Sequence, residues 1–84
     1  MRFLMDSYLY FAVINGLTSV NIGLVVKCKN EAFGDENKYY ITCDDSVDFA
    51  AVHSSAVKEI TQEEYEMFLP RNKLLYDFAA KIET

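Results

Sequence analysis

Tryptophan is missing from this sequence, proline and histidine occur once each, cysteine twice and glycine three times. Each scarcity excludes something. Two cysteines, Cys28 and Cys43, are too few for a disulfide scaffold, and without a CxxC pair or a Cys/His cluster no zinc-ligand spacing can be assembled. Gly16, Gly23 and Gly34 are too scattered to form a phosphate-cradling loop. Basic residues are also in deficit: 8 Lys and Arg against 13 Asp and Glu give a net charge of −5. General nucleic-acid binding needs the opposite surplus to neutralise phosphates. Long apolar runs are lacking too. The uncharged stretch from Ser7 to Val26 contains Asn15, Gly16, Thr18, Ser19, Asn21 and Gly23, whereas crossing a bilayer takes about 20 predominantly apolar residues. Asp6 interrupts a start that otherwise resembles a secretion signal faintly. The expectation is a soluble, cytoplasmic protein with no membrane contact and no cofactor.

What is present suits a folded domain. The 84 residues are 51% hydrophobic and 14% aromatic, with six Tyr and six Phe. No repeat or low-complexity linker divides them, so residues 1–84 read as a single domain. The sheet is expected over about 7–60 and a helical segment over about 62–83. A chain this short buries roughly 60% of its unfolded surface, enough for one modest core.

Alternation is the clearest signal. In "SVNIGLVVKCKN", Val20, Ile22, Leu24, Val26 and Cys28 share one face, and Val25, Lys27 and Lys29 lie on the other. In "KYYITC", Tyr39, Ile41 and Cys43 share a face, leaving Tyr40 and Thr42 outward. A loop symmetric about Asp35 and Glu36 sets Cys28 opposite Cys43 and Lys27 opposite Asp44. Such a pair of cysteines is either a buried apolar contact or a redox switch. Upstream, "YLYFAVING" ends in Asn15-Gly16, a signal for a two-residue hairpin turn. That turn sets Phe11 against Val20 and Leu9 against Ile22. Leu9, Phe11 and Val13 then join the core face, and Tyr8, Tyr10, Ala12 and Ile14 form an unusually apolar second face. A helix from Phe3 to Ile14 is the competing reading, because the run is apolar all round.

The end of the chain is helical. Thr61-Gln62-Glu63-Glu64 has the form of a capping box, with Ile60 placed to staple against Tyr65. Tyr65, Phe68, Leu69, Leu75, Phe78 and Ile82 make a stripe at helical spacing that would cover the sheet. Pro70 is expected to break the helix near Leu69 and to open a second one.

Residues 44–56 support two readings. Val47, Phe49 and Ala51 alternate like a strand, with "AVKEI" as a further short one, while "DDSVDFAA" also has the form of a capped helix start. The succession "VHSSAV", "VKEI" and an acidic helix resembles the closing turn of small, strongly bent barrels of the Tudor and KOW kind, over roughly residues 47–60. That resemblance implies a one-turn 3₁₀ segment between the last two strands, and binding of peptide or nucleic acid through an aromatic cage or a basic edge. No cage residue can be matched in this chain, so no binding residue is carried over.

The chain's one histidine, His53, precedes Ser54 and Ser55. Neighbours in an extended chain point to opposite faces, so only His53 and Ser55 can meet. Neither an orienting acid nor a glycine-framed nucleophile elbow accompanies them. Asp44, Asp45 and Asp48 lack the calcium-loop spacing. No catalytic or metal site is assigned, and the chain is expected not to be an enzyme.

The expected architecture is α+β: a small, curled, barrel-like antiparallel sheet of three to five strands, packed by a Pro-broken C-terminal helix. The expected function is a non-enzymatic protein-binding module. Its size and style resemble small accessory proteins of phages and mobile elements, many of which inhibit a host protein by binding it. Tyr8, Tyr10 and Ile14 are the candidate contact for that partner or for a second copy in a homodimer. The alternative is single-stranded nucleic-acid binding through Lys27, Lys29 and Lys38 around Tyr40.

Overall fold

The computed structural model describes residues 7–16, 21–36 and 38–83. Among these residues five strands make one antiparallel sheet: β1 (Tyr8–Val13), β2 (Val25–Phe33), β3 (Tyr39–Thr42), β4 (Ala51–His53) and β5 (Val57–Ile60). They lie in the order β4-β3-β2-β1-β5. A 3₁₀ turn, Ser54–Ala56, joins β4 to β5, and one helix, α1 (Gln62–Glu83), follows. The sheet curls into a half-barrel with the helix packed against it, so the α+β expectation holds. The β1 segment is a strand, which decides against a helix reaching Ile14. The Phe3 end of that alternative, and Val20, lie outside the described residues.

The core fills the concave face. Leu24, Val26 and Cys28 are fully buried, with Phe11 and Val13 beside them from β1, Val52 from β4 and Val57 from β5. Val47 and Phe49 close it from the β3–β4 connection, and Leu75 and Tyr76 from the helix. Burial pushes the Cys28 thiol up to about 12, with Cys43 and Asp44 adding to the effect. Cys28 is therefore a small apolar core residue. Both cysteines are free.

The β1–β2 faces are as expected, but the register is not. Leu9 lies opposite Cys28 and Phe11 opposite Val26, a slide of six residues from a hairpin turning at Asn15-Gly16. The connection is longer, and it ends in a turn at Asn21–Gly23, where Gly23 takes φ +96°. Because six is even, Leu9, Phe11 and Val13 still face the core. Ile22 does not: it sits in the connection, 48% exposed.

The β2–β3 pairing slips by an odd number, and this inverts β3. Phe33 pairs with Tyr39 and Ala32 with Tyr40, but Cys28 pairs with Thr42, with a register shift between Cys28 and Ala32. Cys28 is thus not opposite Cys43, whose N–H instead donates to the Lys27 carbonyl at 2.9 Å. Tyr40 turns inward, its ring 4.8 Å from Phe11. Tyr39 and Ile41 turn outward and are exposed.

Residues 44–50 are neither a strand nor a helix; only Ala51–His53 is extended. The 3₁₀ turn stands where "VHSSAV" placed one. The capping box forms as expected, Glu64 N–H donating to Thr61 Oγ1 and Thr61 N–H to Glu64 Oε1, each at 3.1 Å.

Pro70 does not break the helix, which runs through it. Proline removes one backbone bond and costs about 3 kcal/mol in a helix interior. Pro70 is on the exposed side, and the residues that dock the helix, Tyr65 and Asn72, lie on either side of it. A break would release one of them. Phe78 and Ile82, expected in the covering stripe, are 55% and 63% exposed.

Candidate functional site

The helix crosses the sheet at one place. Tyr65 is buried with its ring 4.9 Å from Tyr10 on the convex face. Asn72 is 1% exposed and acts as a missing strand: its Oδ1 accepts from Val25 N–H at 3.0 Å, and its Nδ2 donates to the Val25 carbonyl at 2.8 Å. Those Val25 groups lie on the side of β2 where β3 has already ended. Asn72 Nδ2 also reaches Ser46 Oγ at 3.0 Å, Ser46 N–H donates to Asp44 Oδ1 at 2.9 Å, and the Tyr65 hydroxyl donates to Asp44 Oδ2. Burial would raise the Asp44 carboxyl, but the bonds from Tyr65 and Ser46, with Lys27 nearby, hold it below its ordinary value. Burial and the bond to Asp44 push Tyr65 up. The Asp44 carboxylate is thus committed to holding the helix. Among the described residues no group of three His, Cys, Asp or Glu could hold a metal ion.

This docking covers the convex face over β1 and β2 only. Over β3 and β4 the convex face is bare, and a row of rings crosses it. Phe33, Tyr39 and His53 are direct cross-strand neighbours on β2, β3 and β4. The Phe33 and Tyr39 rings stack at 5.6 Å, and His53 meets Tyr39 edge-on at 4.8 Å. Ile41 pairs with Ala51 one step along. Phe33 is 48% and Tyr39 38% exposed. The row leads to a cavity of about 450 Å³ at the open end of the half-barrel. Its apolar wall is Val13, Phe49, Val52 and Ala56, and its rim carries Asn15, Asn21, Tyr39 and His53. Among the described residues no charged side chain lines it. Clefts of about 300–1,000 Å³ with apolar walls and a few polar groups are the usual form of a ligand pocket.

His53 and Ser55 do meet. The Ser55 hydroxyl lies 2.7 Å from His53 Nδ1, and Ser55 N–H donates to the same nitrogen at 3.1 Å. An N–H can only donate, so Nδ1 carries the lone pair and the ring proton sits on Nε2. A hydroxyl on an imidazole is half of an activated nucleophile. Here the lone pair caps the 3₁₀ turn, and no carboxylate among the described residues bonds the ring.

The residues expected to form a contact patch are dispersed. Tyr10 is half-buried against Tyr65, Tyr8 is exposed with Lys27 Nζ 4.8 Å from its ring centre, and Ile14 is exposed beyond the end of β1. The lysine cluster also changes. Lys27 and Lys29 share the convex face with Tyr8, but Tyr40 is on the concave face. Lys38 sits at the other end of the hairpin, its carbonyl accepting from Ser54 N–H. The missed residues are Phe33, which looked like part of a loop, and Tyr39, placed on the wrong face. Asn72 carried no sequence signal at all, because a polar residue on a helix reads as solvent-facing.

Among the described residues no helix is long and apolar enough to cross a membrane. Comparison with protein-family models, with curated proteins and with solved structures finds no match to this chain.

Proposed function

We propose that this chain is a non-enzymatic protein-binding module, and that it binds through the bare β3–β4 face and the cavity beside it. The supporting observation is the row Phe33–Tyr39–His53 with Ile41: large side chains on one continuous surface, leading to a cavity that no charged group lines among the described residues. Contiguous exposed apolar area of this kind marks an interaction surface, and aromatic residues supply most of the binding energy where partners meet. The use of His53 Nδ1 as a turn cap supports the non-enzymatic part of the reading. Inhibition of a host macromolecule is a narrower form of the same activity.

The test is the double variant Tyr39→Ser with Ile41→Ser. Both side chains are partly solvated, so circular dichroism and Tm are expected to stay close to the parent. A partner retained by the parent and lost by the variant supports the surface; equal retention by both overturns it.

A second reading is favoured by one contact, Lys27 over the exposed Tyr8 ring with Lys29 alongside. It gives single-stranded nucleic acid a stacking and phosphate site on the opposite wing, with Tyr8 in the role expected of Tyr40. Absence of binding to a labelled single-stranded oligonucleotide at low salt eliminates it.

A further inference from the structure

The mode of binding can be taken further, on the premise that the β3–β4 wing is the binding surface. Among the described residues the sheet has two edges, β4 and β5. In an antiparallel pair, alternate residues turn both their N–H and C=O towards the neighbouring strand, and those between turn them away. Thr42 N–H donates to Ala50 O at 2.9 Å and Ser54 N–H to Lys38 O at 2.8 Å. The even-numbered residues of β4 therefore serve β3, and the N–H and C=O of Ala51 and His53 point off the sheet. The cavity is lined by Ala51, Val52 and His53 together. Successive side chains of a strand lie on opposite faces, so a cavity touching all three runs along the strand's edge.

The two edges are not alike. β5, Val57–Ile60, carries Lys58 and Glu59, the charges with which sheets block unwanted pairing. β4 is Ala-Val-His and has no such charge. We infer that the β4 edge is a strand-addition site: an extended segment of a partner protein pairs with Ala51 and His53 as a sixth strand and seats one uncharged apolar side chain in the cavity. The backbone bonds supply affinity irrespective of sequence, and the cavity selects the side chain. An acidic or basic residue at that position would be buried without a counter-charge.

The test uses the whole chain and random heptapeptides displayed on phage, with enriched peptides synthesised for titration. His53→Pro removes the outward donor at a residue whose φ of −79° suits proline. His53→Ala keeps the donor and controls for loss of the ring and cap. The expected result is enrichment of peptides with one apolar residue flanked by extended sequence. Their affinity should fall at least tenfold further in His53→Pro than in His53→Ala, and be lost when the peptide is N-methylated at the pairing position. Equal affinity for His53→Pro and His53→Ala overturns strand addition. If Tyr39→Ser still abolishes that binding, the β3–β4 surface stands and only the mode falls; if neither variant weakens it, both fall. A parent dimer in sedimentation equilibrium that His53→Pro dissociates also overturns the inference, because the occupant is then a second copy.

Discussion

The two wings of the sheet are built from similar material and end up in different states. In the β5-β1-β2 wing the core covers the concave face, and the helix covers the convex face around Tyr10 and Val25 through Tyr65 and Asn72, leaving Tyr8 exposed beside Lys27 and Lys29. In the β3–β4 wing the concave face is covered in the same way, through Tyr40 and Val52, but Phe33, Tyr39 and Ile41 on the convex face are left in solvent. Composition separates the wings only in part: Lys27 and Lys29 make one end of the first convex face polar, but both wings carry rings and aliphatic groups at alternate positions. What separates them is the path of one helix, pinned where β2 outruns β3 and needs a polar partner. Coverage in so small a domain is limited by the number of elements, and the convex face of the β3–β4 wing is left over.

The widest separation should appear on truncating one apolar residue in each wing. Leu24→Ala, at a fully buried position, is expected to cost about 3–5 kcal/mol in denaturant unfolding. Ile41→Ala, 36% exposed, should cost only about 1–2 kcal/mol, because a third of its area stays in water and solvent fills the space left behind. Equal losses would mean that the β3–β4 face is covered after all. Next in size, Asn72→Ala strands the Val25 N–H and carbonyl, and a buried polar group without a partner costs about 1–3 kcal/mol. A total loss of about 2–4 kcal/mol is expected, with faster amide exchange at Val25 than at Val26. A loss under about 1 kcal/mol would remove Asn72 as the pin.

The smallest effect is in acid. The folded Asp44 carboxyl lies below its ordinary value, so its contribution is complete above the usual carboxylate pKa of about 3.9. It declines as the pH falls below that value and is gone once the pH is under the folded one. Asp44→Asn should therefore lower Tm at neutral pH and flatten its decline in acid. A parallel curve for variant and parent would show that Asp44 does not link the loop to the helix.

Some elements were legible because their causes are local. The capping box at Thr61 and Glu64 needs only two side chains and the backbone between them, and the turn after His53 is closed by its own neighbours. The alternation of "GLVVKC" revealed the buried set Leu24, Val26 and Cys28 without any knowledge of their partners. The candidate site was harder to see. Phe33 falls in "EAFGDEN", which looks like a polar loop, and its inclusion in β2 depends on pairing with Tyr39.

Alternation by itself determined which residues of a strand travel together, because a period of two fixes side-chain parity. It could not determine register, which depends on where the chain turns and on which strand it meets. A slide of six residues between β1 and β2 kept Leu9, Phe11, Leu24, Val26 and Cys28 on the core face, whereas an odd slip between β2 and β3 exchanged Tyr40 for Tyr39 at the surface. Only the tertiary structure decided that exchange, the continuity of the helix through Pro70 and the wing left bare. Each depends on long-range contacts, chief among them the bonds of Asn72 to a backbone 47 residues away.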